Sequence, residues 1–234
     1  MKHDIARTLG SLSTAHVADA LIRLGLPVRC APAGLRPVLP GTRAAGPALP
    51  ARHAGSVDVF LEAFEHAGPG DVLVVDNDGR ADEACVGDLI VQEAQAAGIA
   101  GVVVWGLHRD TVDIRAIGLP VWTLGTLPTG PQRLAERCAD ALELARVGDW
   151  TVTRADVVVA DDDGVLFVPG DRVDEVVEMA EGIRDTERRQ AERIRSGSSL
   201  RRQLDFSGYL SRRRHDLTLT FRDHLRAVGG AIEE

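Results

Sequence analysis

Residues 87–110 have the sequence G-D-L-I-V-Q-E-A-Q-A-A-G-I-A-G-V-V-V-W-G-L-H-R-D, and this stretch decides the expected fold. It predicts a helix capped by Asp88 that continues through Gln92 to Ala97, because Gly98 follows directly and ends it. A short buried strand is expected from Val102 to Trp105, since the run is apolar and β-branched. Helix and strand together indicate one unit of an α/β fold.

The start of this helix and the loop after the strand contain the groups that can bind a ligand or take part in a reaction. The first backbone N–H groups of the helix, at Leu89, Ile90 and Val91, have no intrahelical acceptor and attract anions. The loop that begins at Gly106 delivers Arg109 and Asp110. If this loop lies beside the helix start, amide donors, a guanidinium and the carboxylates of Asp88 and Asp110 share one pocket. That combination suits a small carboxylate substrate together with a divalent metal ion.

Flanking segments extend the unit into a parallel sheet. Val72–Val75 and Pro120–Leu124 predict further strands, so that strand, helix and strand follow one another at the spacing of a βαβ crossover. Val157–Ala160 and Val165–Val168 predict an antiparallel hairpin around an Asp-Gly turn. Further helices are expected in four places: one or two short ones within Asp4–Leu24, and one each over Val57–Ala67, Pro131–Ala145 and Val173–Arg195.

Composition limits the classes of protein to which the chain can belong. The 234 residues are 44% hydrophobic and suit one large domain or a domain with an appendage. No apolar run is long enough for a membrane span and the N-terminus lacks the features of a signal peptide, so a cytoplasmic protein without membrane contact is expected. Three widely separated cysteines argue against a disulfide framework and a zinc site, and are expected to be buried or incidental thiols.

The scarcity of lysine narrows the chemistry. Lys2 is the only lysine among 27 basic residues. Schiff-base enzymes need a desolvated lysine in a pocket, and a residue next to the N-terminus is a poor candidate. Carbonyl chemistry in this chain would therefore depend on a metal ion or on hydrogen bonds.

Charge is unevenly distributed along the chain. The net charge is −8, yet the segment from Arg184 to Arg226 contains twice as many arginines as acidic residues. A basic tail can bind nucleic acid. Its acidic residues are interspersed, however, which favours pairing with acids of the body or of a neighbouring subunit, and nucleic acid is not the expected partner.

The individual motifs also have ordinary structural explanations. Gly87-Asp88 can be a simple helix cap, and Arg109-Asp110 a surface ion pair. Glu187 fits a solvated helix face, and the acidic run Asp161–Asp163 suits a turn that favours Asp. His108 is either an acid/base group or a loop residue, and the sequence leaves both possibilities open.

The chain resembles the RraA-like family, which includes metal-dependent 4-hydroxy-4-methyl-2-oxoglutarate aldolases and regulators of a ribonuclease. The matching motifs cover roughly residues 10–200, and the pairing of Gly-Asp with Arg-Asp is the most specific part. Trp105 and His108 depart from the aldolase pattern, and the segment after Leu200 is longer than usual. The motifs are S-x5-D-A-L at 13–21, G-D-V-L-V-V-D at 70–76, A-C-V-G-D-L at 84–89, G-L-H-R-D at 106–110, D-D-G-V-L-F-V-P at 162–169 and E-x9-G at 187–197.

The resemblance implies a layered α/β fold of the swivelling-domain type over residues 1–199. Residues 200–234 would form a helical extension that docks on the body or on a neighbouring subunit. The resemblance also implies a homotrimer, or a hexamer built from two trimers, with active sites at the subunit interfaces.

Site roles follow from the same resemblance. Arg109 would bind the carboxylate and keto oxygen of a pyruvoyl unit, assisted by the amides of Leu89, Ile90 and Val91. Asp110 would hold Mg²⁺ or Mn²⁺, with Glu187 contributing from an adjoining subunit. Asp88 would orient Arg109 and a water molecule.

The implied activity is cleavage of a 4-hydroxy-2-oxo acid into pyruvate and a second carbonyl compound, with oxaloacetate decarboxylation as a related reaction. One alternative is a non-catalytic regulator that binds a ribonuclease or a helicase. Another is a related lyase or dehydratase that acts on a sugar-derived 2-oxo acid. The sequence does not identify the part of the substrate beyond the pyruvoyl unit.

Overall fold

A mixed β-sheet forms the centre of the computed structural model, which describes residues 8–132 and 134–228. The strands of the described residues are β1 (Arg36–Pro37), β2 (Ala44–Arg52), β3 (Val72–Asp76), β4 (Ala84–Val86), β5 (Gly101–Trp105), β6 (Leu107–His108), β7 (Val121–Thr123), β8 (Leu144–Val147), β9 (Trp150–Thr153), β10 (Asp156–Ala160) and β11 (Val165–Pro169). The order of strands in the central sheet is β1-β7-β5-β3-β2-β10-β11. The four strands β2, β3, β5 and β7 are parallel, whereas β1, β10 and β11 pair antiparallel with their neighbours.

Helices cover the sheet and extend beyond it. They are α1 (Thr14–Arg23), α2 (Asp58–Glu65), α3 (Asp88–Ala96), α4 (Thr111–Ile117), α5 (Val173–Arg195), α6 (Leu200–Gln203), α7 (Phe206–His215) and α8 (Phe221–Val228). This arrangement confirms the predicted α/β class, the parallel βαβ crossover through α3 and the antiparallel hairpin of β10 and β11. Within the described residues, no helix is both long and apolar enough to cross a bilayer.

The central strands are buried on both faces, as their continuous apolar sequences predict. Alternate side chains of β3 point to opposite sides of the sheet, so Leu73 joins a core under α2 and α3 while Val74 joins a second core with Trp122. A third core lies between the β10–β11 hairpin and the helices α1 and α5. The candidate residues Asp88, Arg109 and Asp110 lie at the carboxyl edge of the parallel strands.

The predicted helix over Pro131–Ala145 is wrong. The described residues of 131–143 form irregular chain and turns, and β8 begins at Leu144 and pairs with β9. Leu134 is 77% exposed whereas Ala141 is buried, although the two would share one face of a helix. Backbone hydrogen bonds from Ala135 N–H to Ala54 O and from Arg52 N–H to Ala141 O instead hold the segment against the end of β2.

The C-terminal helices form a small aromatic cluster against the end of α5. Tyr209 packs on Phe206, Phe221 and His224, and Gln203 donates a hydrogen bond to Gln190 O on α5. The boundary of a separate extension at residue 200, and its contact with another subunit, stay predictions.

The three cysteines are free. Cys85 is buried, as expected, whereas Cys30 and Cys138 are exposed.

Candidate active site

A two-stranded parallel pairing brings the two chemical motifs together. Ala84 of β4 pairs with Leu107 of β6, and Val86 pairs with His108. The Arg109 N–H then donates to Val86 O at 3.0 Å. The chain therefore places Gly87-Asp88 and Arg109-Asp110 side by side at the same edge of the main sheet, which is where ligands gather in α/β proteins.

The N-terminus of α3 supplies fewer free amides than the sequence predicts. Gly87 rather than Asp88 is the N-cap, with extended backbone at φ −132° and ψ −175°, and Asp88 is the first helical residue. The Val91 N–H donates to Gly87 O at 3.2 Å, so it is already used within the helix. The N–H groups of Asp88, Leu89 and Ile90 precede the first intrahelical bond and are the ones that can face an anion.

Arg109 and Asp110 form a half-exposed ion pair beside this helix end. Their Nε and Oδ2 atoms are 3.4 Å apart, and their side chains are 48% and 37% exposed. The partner of Arg109 is thus Asp110; the predicted interaction of Asp88 with Arg109 does not occur among the ion pairs of the described residues.

Two glycines allow the backbone to lie close to the Arg109-Asp110 ion pair. A Cβ atom on Gly87 would lie 2.6 Å from Asp110 Oδ2, and one on Gly130 would lie 2.7 Å from Arg109 Nη1. A side chain at either position would therefore displace the Asp110 carboxylate or the Arg109 guanidinium. The guanidinium therefore lies between two bare stretches of backbone, which restricts its position.

Asp110 has a strained backbone. Its φ of 60° and ψ of 41° place it in the left-handed region, which non-glycine residues seldom adopt, although Asp tolerates it better than most. It is the N-cap of α4, yet its carboxylate makes no capping hydrogen bond. The carboxylate is therefore directed to Arg109 rather than to its own helix, and such strain is typical of functional positions.

His108 is held by hydrogen bonds at both ring nitrogens, and its use as an acid/base group stays a hypothesis. Its buried ring bonds Thr123 Oγ1 through Nδ1 and Thr111 Oγ1 through Nε2, both at 2.9 Å. The Thr123 hydroxyl donates to Gly125 O, so it accepts from a protonated Nδ1. Burial lowers the pKa of His108. Both ring nitrogens are thus engaged by threonine hydroxyls, which ties the backbone before Arg109 to β7 and α4.

Glu187 lies elsewhere in the single chain. Its Oε2 is 3.0 Å from His16 Nε2, in the layer formed by α1 and α5. Among residues 8–132 and 134–228, no group of three or more His, Cys, Asp or Glu side chains is arranged to hold a metal ion. The contribution of Glu187 from an adjoining subunit stays a prediction.

The acidic turn after β10 is used structurally. Asp161 accepts hydrogen bonds from the backbone N–H and the hydroxyl of Thr14, at 2.9 and 2.7 Å. Asp162 accepts from the Gly41 N–H. These contacts agree with the turn interpretation.

A buried polar cluster near the site was not predicted from the sequence. His53 follows β2 and its Nδ1 lies 2.8 Å from Asn77 Oδ1, directly after β3. Glu83 completes the cluster, with Oε1 3.2 Å from Arg80 Nε. The available signal was positional, because His53 and the turn Asp76–Gly79 both follow strands whose carboxyl ends meet at this edge.

Stability is expected to fall as the pH drops from 7 to 5. Burial lowers the pKa of His53, partly offset by the hydrogen bond to Asn77 and the charge of Glu83. Below the normal histidine pKa the unfolded chain therefore binds more protons than the folded chain, so acid favours unfolding. Urea unfolding at several pH values measures this. The dependence should be weaker in His53→Asn; an identical pH dependence in that variant would show that His53 is not the titrating group.

A methyl group at position 87 is expected to disrupt the pair. Gly87→Ala keeps an allowed backbone but places Cβ against Asp110 Oδ2, so Asp110 or Arg109 must move. Calorimetry with pyruvate, the ligand that the family resemblance implies, should show an affinity reduced by about tenfold or more. The control is Gly182→Ala within α5, where an added Cβ meets nothing within 4 Å. Unchanged affinity in Gly87→Ala would mean that the Arg109-Asp110 geometry is not needed for binding.

Fold and site together define an α/β protein with a helix N-terminus and an adjacent Arg-Asp pair at the carboxyl edge of its sheet. The family model described as RraA-like, Aldolase/RraA, matches residues 14–167. The chain belongs to the RraA-like family.

Two relatives of known name are similar to this chain. Protein DlpA of Legionella pneumophila is 31% identical over 205 residues, which are 84% of this chain but only 32% of that protein, so the chain spans about a third of its length. A protein of Halalkalibacterium halodurans with the provisional name 4-hydroxy-4-methyl-2-oxoglutarate aldolase is 29% identical over 147 residues, covering 62% of this chain and 69% of the relative.

A solved structure supports the fold assignment. The RraAS2 protein of Streptomyces coelicolor is described as an unusual member of the RNase ES inhibitor RraA protein family. It superposes with a TM-score of 0.72 at 32% identity, over 81% of this chain and 98% of that protein. The family therefore contains proteins named for an enzyme activity and proteins named for inhibition.

Proposed function

We propose that this protein is a divalent-metal-dependent lyase that cleaves a 4-hydroxy-2-oxo acid into pyruvate and a second carbonyl compound. The observation that carries the proposal is the Arg109-Asp110 pair, held by strained backbone at 3.4 Å beside the start of α3. A protein that only binds another protein has no need for this arrangement of a guanidinium, free amides and carboxylates.

Arg109 and the α3 amides bind the pyruvoyl unit in this proposal. The planar guanidinium can donate to a carboxylate oxygen and to the keto oxygen together. The N–H groups of Leu89 and Ile90 add positive potential at the same end of the helix. The Val91 N–H is already bonded to Gly87 O and does not donate to the substrate, so Val91 contributes only to the dipole of α3. Cleavage develops an enolate, and these fixed donors stabilise its negative charge.

The carboxylates fit Mg²⁺ or Mn²⁺. Both metals prefer oxygen ligands and retain water molecules, so they do not require a closed set of protein side chains. Asp110 would hold the ion and Asp88, half-buried in the first turn of α3, would orient a water molecule beside it. When bound, the metal withdraws electron density from the keto oxygen. The water oriented by Asp88 would take the 4-hydroxyl proton as the C3–C4 bond breaks and return a proton to C3 of the enolate, which gives pyruvate.

We further propose that a neighbouring subunit supplies Glu187 in a trimer or hexamer. Exposed apolar side chains near the site suit such an interface: Leu89 is 72% exposed and Val112 is 77% exposed. In a crystal structure of the assembly, Glu187 of one copy should face Asp110 of the next. Separation of the two residues in every subunit pair would remove Glu187 from the site.

The test is an assay of pyruvate release with a panel of 4-hydroxy-2-oxo acids, including sugar-derived ones, and oxaloacetate. Activity should disappear with EDTA and return with Mg²⁺ or Mn²⁺. Oxaloacetate should also release pyruvate, because its decarboxylation forms the same enolate. Pyruvate with borohydride should not inactivate the protein, since Lys2 is the only lysine. A covalent adduct on Lys2, or activity unaffected by EDTA, would contradict the proposal.

A second candidate function is regulation by binding a ribonuclease or helicase. The likeness to RraAS2, named for ribonuclease inhibition, favours it. Inhibition of ribonuclease E-type cleavage by a protein that releases no pyruvate from any substrate of the panel would support this alternative.

A further inference from the structure

A buried cluster beneath the Arg109 loop is not used by the proposed chemistry. We call it the Asn77 cluster, and it consists of His53, Asn77, Arg80 and Glu83. The Arg109 loop is defined as residues 106–110. His53, Asn77 and Glu83 are 8% exposed or less, although all three are polar.

Asn77 supports the first residue of the loop. Its backbone N–H donates to Trp105 O at 3.1 Å, at the end of β5. A Cβ atom on Gly106 would lie 2.9 Å from Asn77 Cβ and 3.2 Å from Asn77 Nδ2. The loop therefore begins in direct contact with the Asn77 side chain, and the contact is close enough to require glycine at position 106.

His53 fixes the orientation of that side chain. Its Nδ1 bonds Asn77 Oδ1 at 2.8 Å, and its ring stacks on Phe60 with centroids 5.4 Å apart and planes 10° apart. The His53 side chain is completely buried. Because the ring cannot rotate freely between these contacts, the amide plane of Asn77 is held with it.

Glu83 links the cluster to the second strand of the site. It directly precedes β4, whose residues Ala84 and Val86 pair with β6 of the Arg109 loop. Its Oε1 lies 3.2 Å from Arg80 Nε and 4.0 Å from His53 Nδ1. One cluster thus contacts the beginning of the loop and the strand on which the loop rests.

The Asn77 cluster lowers the stability of the folded protein, so its polar residues are not explained by a contribution to stability. Among the described residues, His53 Nε2 and Asn77 Nδ2 are buried without a protein hydrogen-bond partner. Unsatisfied buried polar atoms reduce stability, and an apolar packing of the same volume would avoid the loss.

We propose that His53 and Asn77 are positioning residues that hold the Arg109 loop, and through it the Arg109 guanidinium, in its binding geometry. The role in catalysis rests on the proposed function, whereas the control of the loop does not. Loss of the His53–Asn77 hydrogen bond should loosen residues 105–110 while the strands of the sheet stay ordered.

Hydrogen exchange of the full chain tests this directly. The reporter is the Arg109 amide, bonded to Val86 O, within the backbone of residues 105–110. Exchange is compared in His53→Ala, Asn77→Ala and Val158→Ala; Val158 is a completely buried residue of β10. Measurements at urea concentrations that give equal global stability separate local loosening from general destabilisation.

The expected result is exchange at residues 105–110 that is about tenfold faster in the first two variants than in Val158→Ala. His53→Asn, whose side-chain amide can replace Nδ1 as donor to Asn77, should restore slow exchange. Equal exchange in all three variants would overturn the proposal, and so would failure of His53→Asn to restore it.

Steady-state kinetics separates this inference from the proposed function. In an active protein, His53→Ala should raise KM and lower kcat, while His53→Asn recovers both. If the unmodified protein releases no pyruvate, the proposed function fails and the exchange experiment still decides the role of the Asn77 cluster.

Discussion

Arg109→Lys is expected to lower kcat/KM for pyruvate release by about 10²-fold or more, which corresponds to ~3 kcal/mol of transition-state stabilisation. Lysine keeps the positive charge but not the planar fork that can contact carboxylate and keto oxygens together. It also cannot reproduce the fit between the backbones of Gly87 and Gly130. Steady-state kinetics and calorimetry with pyruvate measure the effect, and metal binding should be retained.

The matched control is Arg226→Lys in α8, where the arginine side chain is 67% exposed. It should leave both activity and pyruvate binding unchanged. Wild-type rates for Arg109→Lys on every oxo acid that the parent cleaves would mean that the proposed pocket is wrong, and the regulatory function would then be favoured.

Asp110→Asn should weaken metal binding, which Arg109→Lys should leave intact. Asparagine tolerates the left-handed backbone of this position about as well as aspartate, so the variant removes the negative charge without the backbone penalty that alanine would bring. The Kd for Mn²⁺ should rise by roughly tenfold or more, equivalent to about 1.4 kcal/mol, and activity should fall with it. Calorimetry with Mn²⁺ measures the loss.

Asp113→Asn controls for the loss of charge. Asp113 is exposed in the first turn of the same helix, α4, and its replacement removes the same charge three residues away. Its metal affinity should match that of the parent. Equal Mn²⁺ affinity in Asp110→Asn and the parent would exclude Asp110 as the metal ligand.

The strands were predictable because their sequence patterns are strong and local. Val72–Val75 and Val102–Trp105 are continuous apolar runs bounded by turn residues, and both are buried strands in the structure. The Pro131–Ala145 segment was also predicted as a helix, yet its described residues form none, because Leu134 is exposed while Ala141 is buried. Periodicity identifies the residues that would share one face of a helix, but not whether that face packs against other residues in the folded protein.

The proximity of the two motifs of the site was predictable from their place at the ends of successive elements. The use of Gly87 as the cap was not, because it depends on an extended backbone that frees Asp88 to enter the first turn. The helix begins one residue earlier than predicted, and for this reason the Val91 N–H is bonded within the helix and is not available to an anion. His53 and Asn77 escaped prediction because they are 24 residues apart and meet only where β2 and β3 lie side by side.

A crystal structure with Mn²⁺ and oxalate, a stable analogue of the pyruvate enolate, tests the central claim most directly. Anomalous scattering at the manganese edge should place the ion beside the Asp110 carboxylate. Oxalate should contact the Arg109 guanidinium and the N–H groups of Leu89 and Ile90. Manganese bound away from Asp110, or oxalate that does not contact Arg109, would contradict the proposed site.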